Sequence, residues 1–140
     1  AIRLVREHAL DSAHTAQVFA ALNVAMMDAF IACWHAKFTW WTQRPVTAIR
    51  EKLDPQFLPH LITPAFPSYV SGHAAASGAA AEVLQAFFPD RRQALEAQAE
   101  EAALSRLYGG IHFSSDNKEG LALGRKVGAR VLQRLSDTTR

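Results

Sequence analysis

Phe66–Gly78 reads FPSYVSGHAAASG, and the change of character inside this stretch decides the fold. Pro64 and Pro67 stiffen the chain ahead of it, while an alanine-rich run follows, so a loop gives way to a helix at Ser71-Gly72-His73. A helix N-terminus offers unpaired backbone N–H groups and a positive dipole end, and both suit an anion. Gly72 lets that backbone approach a ligand closely, and His73 adds a group that moves protons near neutral pH. The tripeptide alone is equally compatible with a plain loop and helix cap. What separates the two readings is the rest of the chain.

Working outward, the helix is expected over Ser71 to Phe88, stopped by Pro89, with Ala75, Gly78 and Ala79 forming a face that a second helix can approach closely. Asp90 is placed to cap the next helix, with Gln93 set for a capping-box contact. Leu95, Ala99 and Ala102 make one stripe of that helix, and Arg106 continues it. An arginine on a core-facing side is costly unless it is paired or meets an anion. Gly109 and Gly110 end the helix. A final one starts near Asp116, where Gly120, Gly124 and Gly128 recur every four residues and imply tight packing beside Leu121, Val131 and Leu135.

Towards the N-terminus, a long helix is expected over His14 to Gln43, with Val18, Leu22, Ala25 and Trp34 near helical spacing and no internal Gly or Pro. Pro45 ends or redirects it, because the residue before proline avoids the α region. A short helix around Val46 to Leu53 follows. Pro55, Pro59, Pro64 and Pro67 then make an irregular loop, which Phe57, Phe66 and Tyr69 should keep ordered. The only strand-like segment, LITPAF, is short and broken by proline. These features predict an all-α protein, a compact helical bundle without repeats or a domain linker.

At 140 residues, 49% hydrophobic and 20% charged, the chain suits one globular domain with a real core. Fifteen basic against 13 acidic side chains give +2, too small an excess for nucleic acid, so an anion site must come from local arrangement. The single Cys33 excludes an internal disulfide framework and leaves the compartment open. No signal peptide or membrane span is read from the sequence. The chain begins at Ala1 and looks helical at once, which leads us to expect part of a longer chain, its C-terminal portion, with room for an upstream export signal. The tight Gly and Ala faces also suit self-association.

Three segments carry the chemistry. In KFTWWTQRP, Lys37 and Arg44 are seven residues apart. On one continuous helix that spacing puts both cations on one face, about 10 Å apart along the axis, able to grip different oxygens of one tetrahedral anion. The alternative is a solvated basic face. In PSYVSGH, the Ser71 hydroxyl and the N–H groups near Gly72 would hold anion oxygens, with His73 as acid or base. In SRLYGGIHFSSD, Asp116 follows His112 by four residues, a spacing at which it orients the imidazole and raises its basicity, leaving the other ring nitrogen free. A structural cap would use the same pair. Together the segments supply three cations, backbone donors and two histidines, a set suited to holding a tetrahedral oxyanion and reacting at it.

In this order, Lys37-x6-Arg44-Pro45, Pro67-x3-Ser71-Gly72-His73 and Ser105-Arg106-x5-His112-x3-Asp116 resemble the tripartite signature of vanadium-dependent haloperoxidases and type 2 phosphatidic acid phosphatases. The resemblance implies a helical bundle. It further implies vanadate held by Lys37, Arg44, Ser71, Gly72 and Arg106, with His112 bonded to vanadium and His73 as the acid–base group for hydrogen peroxide. In the phosphatases the same pocket takes a phosphate ester, His112 attacks phosphorus, His73 protonates the leaving group and Asp116 orients His112.

The wording of all three segments looks most like the bacterial haloperoxidase branch. Trp34 and Phe66 match positions that are aromatic around the halide pocket of chloroperoxidase-type members, although core packing explains both equally well. Phosphatases often carry tryptophan after the second histidine, where this chain has Phe113. Haloperoxidases are usually longer upstream, so part of the cavity wall is expected to lie outside this chain. The expected function is halide oxidation with vanadate, hydrogen peroxide and a small organic acceptor. The alternatives are a phosphatase with a phosphohistidine intermediate at His112 and a non-catalytic anion-binding or assembly module. No role is assigned to His8, His14, His35 or His60, and Arg125, Arg130 and Arg134 are read as a solvated helix face.

Overall fold

A computed structural model describes residues 1–138, and among these the regular elements are all helical. A short helix α1 (Ile2–Glu7) precedes the long α2 (Ser12–Trp40). Asp11 caps α2 by accepting the His14 N–H at 2.8 Å. The helix stops at Trp40 rather than Gln43 because Trp41 turns left-handed, at φ 47°, with its amide on the Lys37 carbonyl. Pro45 therefore terminates nothing. It opens α3 (Pro45–Lys52) at the first helical position, where a missing N–H costs least.

The proline-rich loop is irregular throughout, as expected. Ser71 then caps α4 (Gly72–Phe87), its Oγ accepting the Ala74 N–H. A 3₁₀ turn at Pro89–Arg91 leads into α5 (Arg92–Tyr108), and α6 (Ser114–Thr138) completes the fold. The expected Asp90 cap is not made. The 3₁₀ turn takes that place, α5 begins without a side-chain cap, and the Asp90 carboxylate instead meets His8 Nε2 at 3.1 Å and Arg91 Nε at 3.2 Å. The buried stripe of α5 is Leu95, Ala99 and Ala103 rather than one through Ala102, because it keeps a strict spacing of four.

Helix α4 lies at the centre, in contact with α2, α5 and α6. Its alanine face joins Val18, Leu22, Ala25 and Ala29 of α2, Leu95 and Ala99 of α5, and Val131 of α6 in one core that also holds Phe88. The glycine ladder of α6 makes the α4 contact possible. A Cβ on Gly124 would lie 2.0 Å from the Ala75 carbonyl oxygen and 2.7 Å from the Ala79 nitrogen. A Cβ on Gly120 would lie 2.8 Å from the Ser71 carbonyl oxygen. This close approach brings the N-termini of α4 and α6 together, and the Ser71 N–H donates to the Asp116 carbonyl at 3.0 Å.

By length and composition, the helical stretch Ser12–Lys52 would suffice to cross a membrane, with an 18-residue window of mean hydropathy 1.6. The sequence reading saw no such span. Thirty-three per cent of that window is buried inside the bundle, which accounts for part of its apolar character.

Gly124→Ala should force α4 and α6 apart and lower stability by about 1–3 kcal/mol in urea unfolding. Lys126→Ala, on the exposed side of the same helix, should change it by less than about 0.5 kcal/mol. Equal midpoints for the two variants would contradict backbone-close packing at Gly124.

Candidate active site

The two cations of the first segment are buried and held by the loop. Lys37 is 0% exposed, and its Nζ donates to the carbonyls of Pro67 and Ser68, both at 2.9 Å. Arg44 is 6% exposed, with Nε on the Phe66 carbonyl at 2.8 Å and Nη1 on the Ile111 carbonyl at 2.7 Å. Three consecutive carbonyls, of residues 66, 67 and 68, thus face two cations. Burial removes the solvated-face reading. The expected mechanism of convergence is corrected as well: Arg44 lies beyond the end of α2, so the loop and not helical periodicity brings the pair together.

Phe66 packs across both charges, its ring centroid 5.2 Å from Lys37 Nζ and 5.0 Å from the Arg44 guanidinium carbon. Trp34 stands beside it with ring centroids 5.2 Å apart. The two aromatics expected at a halide pocket are therefore adjacent and in contact with the cations.

His112 is buried between opposite partners. Its Nδ1 lies 3.0 Å from Asp116 Oδ2, and its Nε2 lies 3.1 Å from Arg44 Nη1. A guanidinium has donors only, so Nε2 accepts and Nδ1 carries the proton given to Asp116. His73 follows the same logic: its Nε2 accepts from Arg106 Nη1 at 2.9 Å, which puts the ring proton on Nδ1. Both histidines thus turn a bare Nε2 towards an arginine.

Burial lowers the His112 pKa, the Asp116 hydrogen bond opposes it, and the charges of Arg44 and Lys37 add to the lowering. Asp116 pulls basicity upward as expected, but the net shift is downward and the ring stays neutral at pH 7. Nor is Nε2 free, since Arg44 Nη1 donates to it. His73 is lowered by burial and by Arg106. For Asp116, burial pushes the carboxyl up, yet hydrogen bonds from His112, Ser68 and the Phe113 amide outweigh it and hold the group below the usual carboxylate range.

Ser71 is fully buried, spends its amide on Asp116 and accepts at Oγ from Ala74, which leaves its O–H to donate. Gly72 sits at the first position of α4, where a Cβ would meet Trp34 and Cys33 at 3.5 and 3.9 Å, ordinary contact distances, so packing against α2 does not itself require glycine. Arg106 joins the rest through Ile111, whose N–H donates to the Arg106 carbonyl while its own carbonyl accepts from Arg44.

Three contributors to the site carry no motif in the sequence. Ser68 donates to Asp116, Thr42 accepts the Ser68 and Tyr69 amides, and the Ile111 carbonyl holds Arg44. For Ser68 the only signal was its place inside the opening stretch, and a backbone carbonyl gives none.

The residues fit an oxyanion. Arg44 Nη2 and Arg106 Nε are buried donors without an acceptor among the described residues, each on an arginine that also holds a histidine nitrogen. Buried guanidinium N–H groups are rarely left unpaired, and the oxygens of a tetrahedral anion would satisfy them. Among the described residues no group of three or more His, Cys, Asp or Glu could hold a metal ion.

Burial lowers the Lys37 pKa to about 8. Anion binding needs the charged ammonium, so phosphate affinity should fall as pH rises from 7 to 9. Titration calorimetry should show net proton uptake on binding at pH 9, and Lys37→Met should abolish that component. Unchanged proton uptake in the variant would remove Lys37 from the site.

A profile of the PAP2 superfamily matches residues 16–140. No curated protein matches the chain. Among solved structures, one described as the first bacterial vanadium-dependent iodoperoxidase is similar, with 36% identity and a TM-score of 0.84. The match covers 92% of this chain and 35% of that one, so this chain corresponds to about a third of the length of the solved protein. With the helical architecture and the order of its three signature segments, the chain belongs to the PAP2 superfamily.

Proposed function

We propose that this chain carries the oxyanion centre of a vanadate-dependent haloperoxidase. The observation that carries the reading is the pair of buried, unpartnered donors, Arg44 Nη2 and Arg106 Nε, beside two histidines with bare Nε2 atoms. The likeness to a vanadium-dependent iodoperoxidase supports this branch of the superfamily over the phosphatases. Lys37, Arg44 and Arg106 supply positive charge, while the Ser71 hydroxyl and the Gly72 amide supply neutral donors. His112 would hold the group through Nε2, with Arg44 Nη1 then donating to an anion oxygen and Asp116 keeping the proton on Nδ1.

When bound, vanadate supplies the activation of hydrogen peroxide towards halide. His73 is neutral near pH 7 and takes the peroxide proton at Nε2 when Arg106 releases it. Trp34 and Phe66 form an apolar wall beside the charges, suited to a large, weakly hydrated halide. An open cavity of ≈ 400 Å³ adjoins Arg44 and Phe66 and is also lined by Phe38, Trp41 and Thr63. It offers an aromatic surface to a small organic acceptor.

The test is halogenation of a chromogenic diketone with peroxide and bromide or iodide, with and without added orthovanadate. Vanadate-dependent turnover is expected, and His112→Ala should reduce it about 100-fold or more. Hydrolysis of p-nitrophenyl phosphate without halogenation would replace this reading by the phosphatase one. Saturable vanadate binding with neither activity would leave an anion-binding module.

A further inference from the structure

Ser68 is the one fully buried hydroxyl in the network to which the proposed function gives no part. Its neighbours fix it on three sides. The amide donates to the Thr42 carbonyl at 3.0 Å, the carbonyl accepts from Lys37 Nζ at 2.9 Å, and Oγ donates to Asp116 Oδ2 at 2.6 Å. The same Oγ lies 3.5 Å from His112 Nδ1, at the limit of contact. Ser68 therefore belongs at once to the loop that holds the cations and to the pair that orients the histidine.

We propose that Ser68 is a positioning residue that fixes the Asp116 carboxylate, and through it the orientation of the His112 ring. A carboxylate on a short side chain rotates about its last bond unless its oxygens are pinned. Here one oxygen, Oδ2, receives the Ser68 hydroxyl, the Phe113 amide at 3.0 Å and the His112 ring. The Phe113 amide belongs to the same helix start as Asp116 and cannot tie it to the rest of the site. Ser68 can, because its own backbone is anchored to Thr42 and Lys37. The hydroxyl makes the position of Oδ2 depend on the cation loop, so His112 Nε2 is presented in register with Arg44 and Lys37. Orienting partners of this kind typically contribute 10–100-fold to ligand affinity or activity, by order of magnitude roughly.

This inference rests on the oxyanion reading, and its test separates the two. Ser68→Ala removes the hydroxyl and leaves the carbonyl that holds Lys37. In the anion-free protein, long-range proton–nitrogen correlation spectra should show His112 protonated at Nδ1, and Ser68→Ala should move the Nδ1–H resonance as the hydrogen bond to Asp116 loosens. Phosphate and orthovanadate affinities should fall about tenfold in Ser68→Ala. A double-mutant cycle with Asp116→Ala then decides the route, since Ser68→Ala should have no further effect once Asp116 is gone. Costs that multiply in the double variant, or an Nδ1–H resonance unmoved in Ser68→Ala, would overturn the proposal. If Ser68→Ala fails to fold, Ser68→Cys, close in shape and a weak donor, carries the same measurements. A wild-type protein that binds neither anion would defeat the oxyanion reading, while the ring spectra would still decide the role of Ser68.

Discussion

The site depends on a loop whose carbonyls hold two buried cations. Placing a lysine and an arginine beneath the surface is unfavourable unless every N–H finds an acceptor. Carboxylates would satisfy them but would also cancel the charge that an anion needs. The carbonyls of Phe66, Pro67 and Ser68, with that of Ile111, satisfy most of these donors with dipoles instead. Asp116 is the single carboxylate of the network, and it is turned to His112, Ser68 and Phe113 rather than to the cations. Positive charge is thus preserved, and the donors left over on Arg44 and Arg106 have no acceptor among the described residues.

Helix packing supplies the other half of the geometry. Because α6 has glycines where it crosses α4, the Ser71 cap and the first turn of α6 meet directly. The N-terminal end of α4 and the histidine-orienting carboxylate are therefore neighbours by virtue of core packing, not through flexible side chains. A site built this way is preorganised: the dipole end, the histidine and the cations are in place before a ligand arrives. The arginines hold the two bare histidine nitrogens in the meantime, which keeps the rings neutral and their Nε2 atoms occupied.

Much of this was legible in the sequence. Prolines and alanine runs marked the loop and α4, and glycines every four residues on α6 announced a close helix contact. The three segments named Lys37, Arg44, His73, Arg106, His112 and Asp116, because charged and titratable residues announce themselves. What escaped depended on backbone conformation or on distant partners. The left-handed Trp41 ended α2 early without a glycine to signal it. Asp90 was drawn off its cap by His8, eighty-two residues away in sequence. The acceptors that hold Lys37 and Arg44 are main-chain carbonyls, which no residue type reveals. His112 was expected to gain basicity from Asp116, but burial and the charges of Arg44 and Lys37, which prevail, follow from a fold that places them around one ring.

The most direct test of the central claim is a crystal structure of the protein grown with orthovanadate. The account predicts a tetrahedral anion within hydrogen-bond distance of Arg44 Nη2 and Arg106 Nε, with His112 Nε2 turned to it and Arg44 Nη1 withdrawn from that nitrogen. An anion bound elsewhere, with both arginines still holding their histidines, would contradict it.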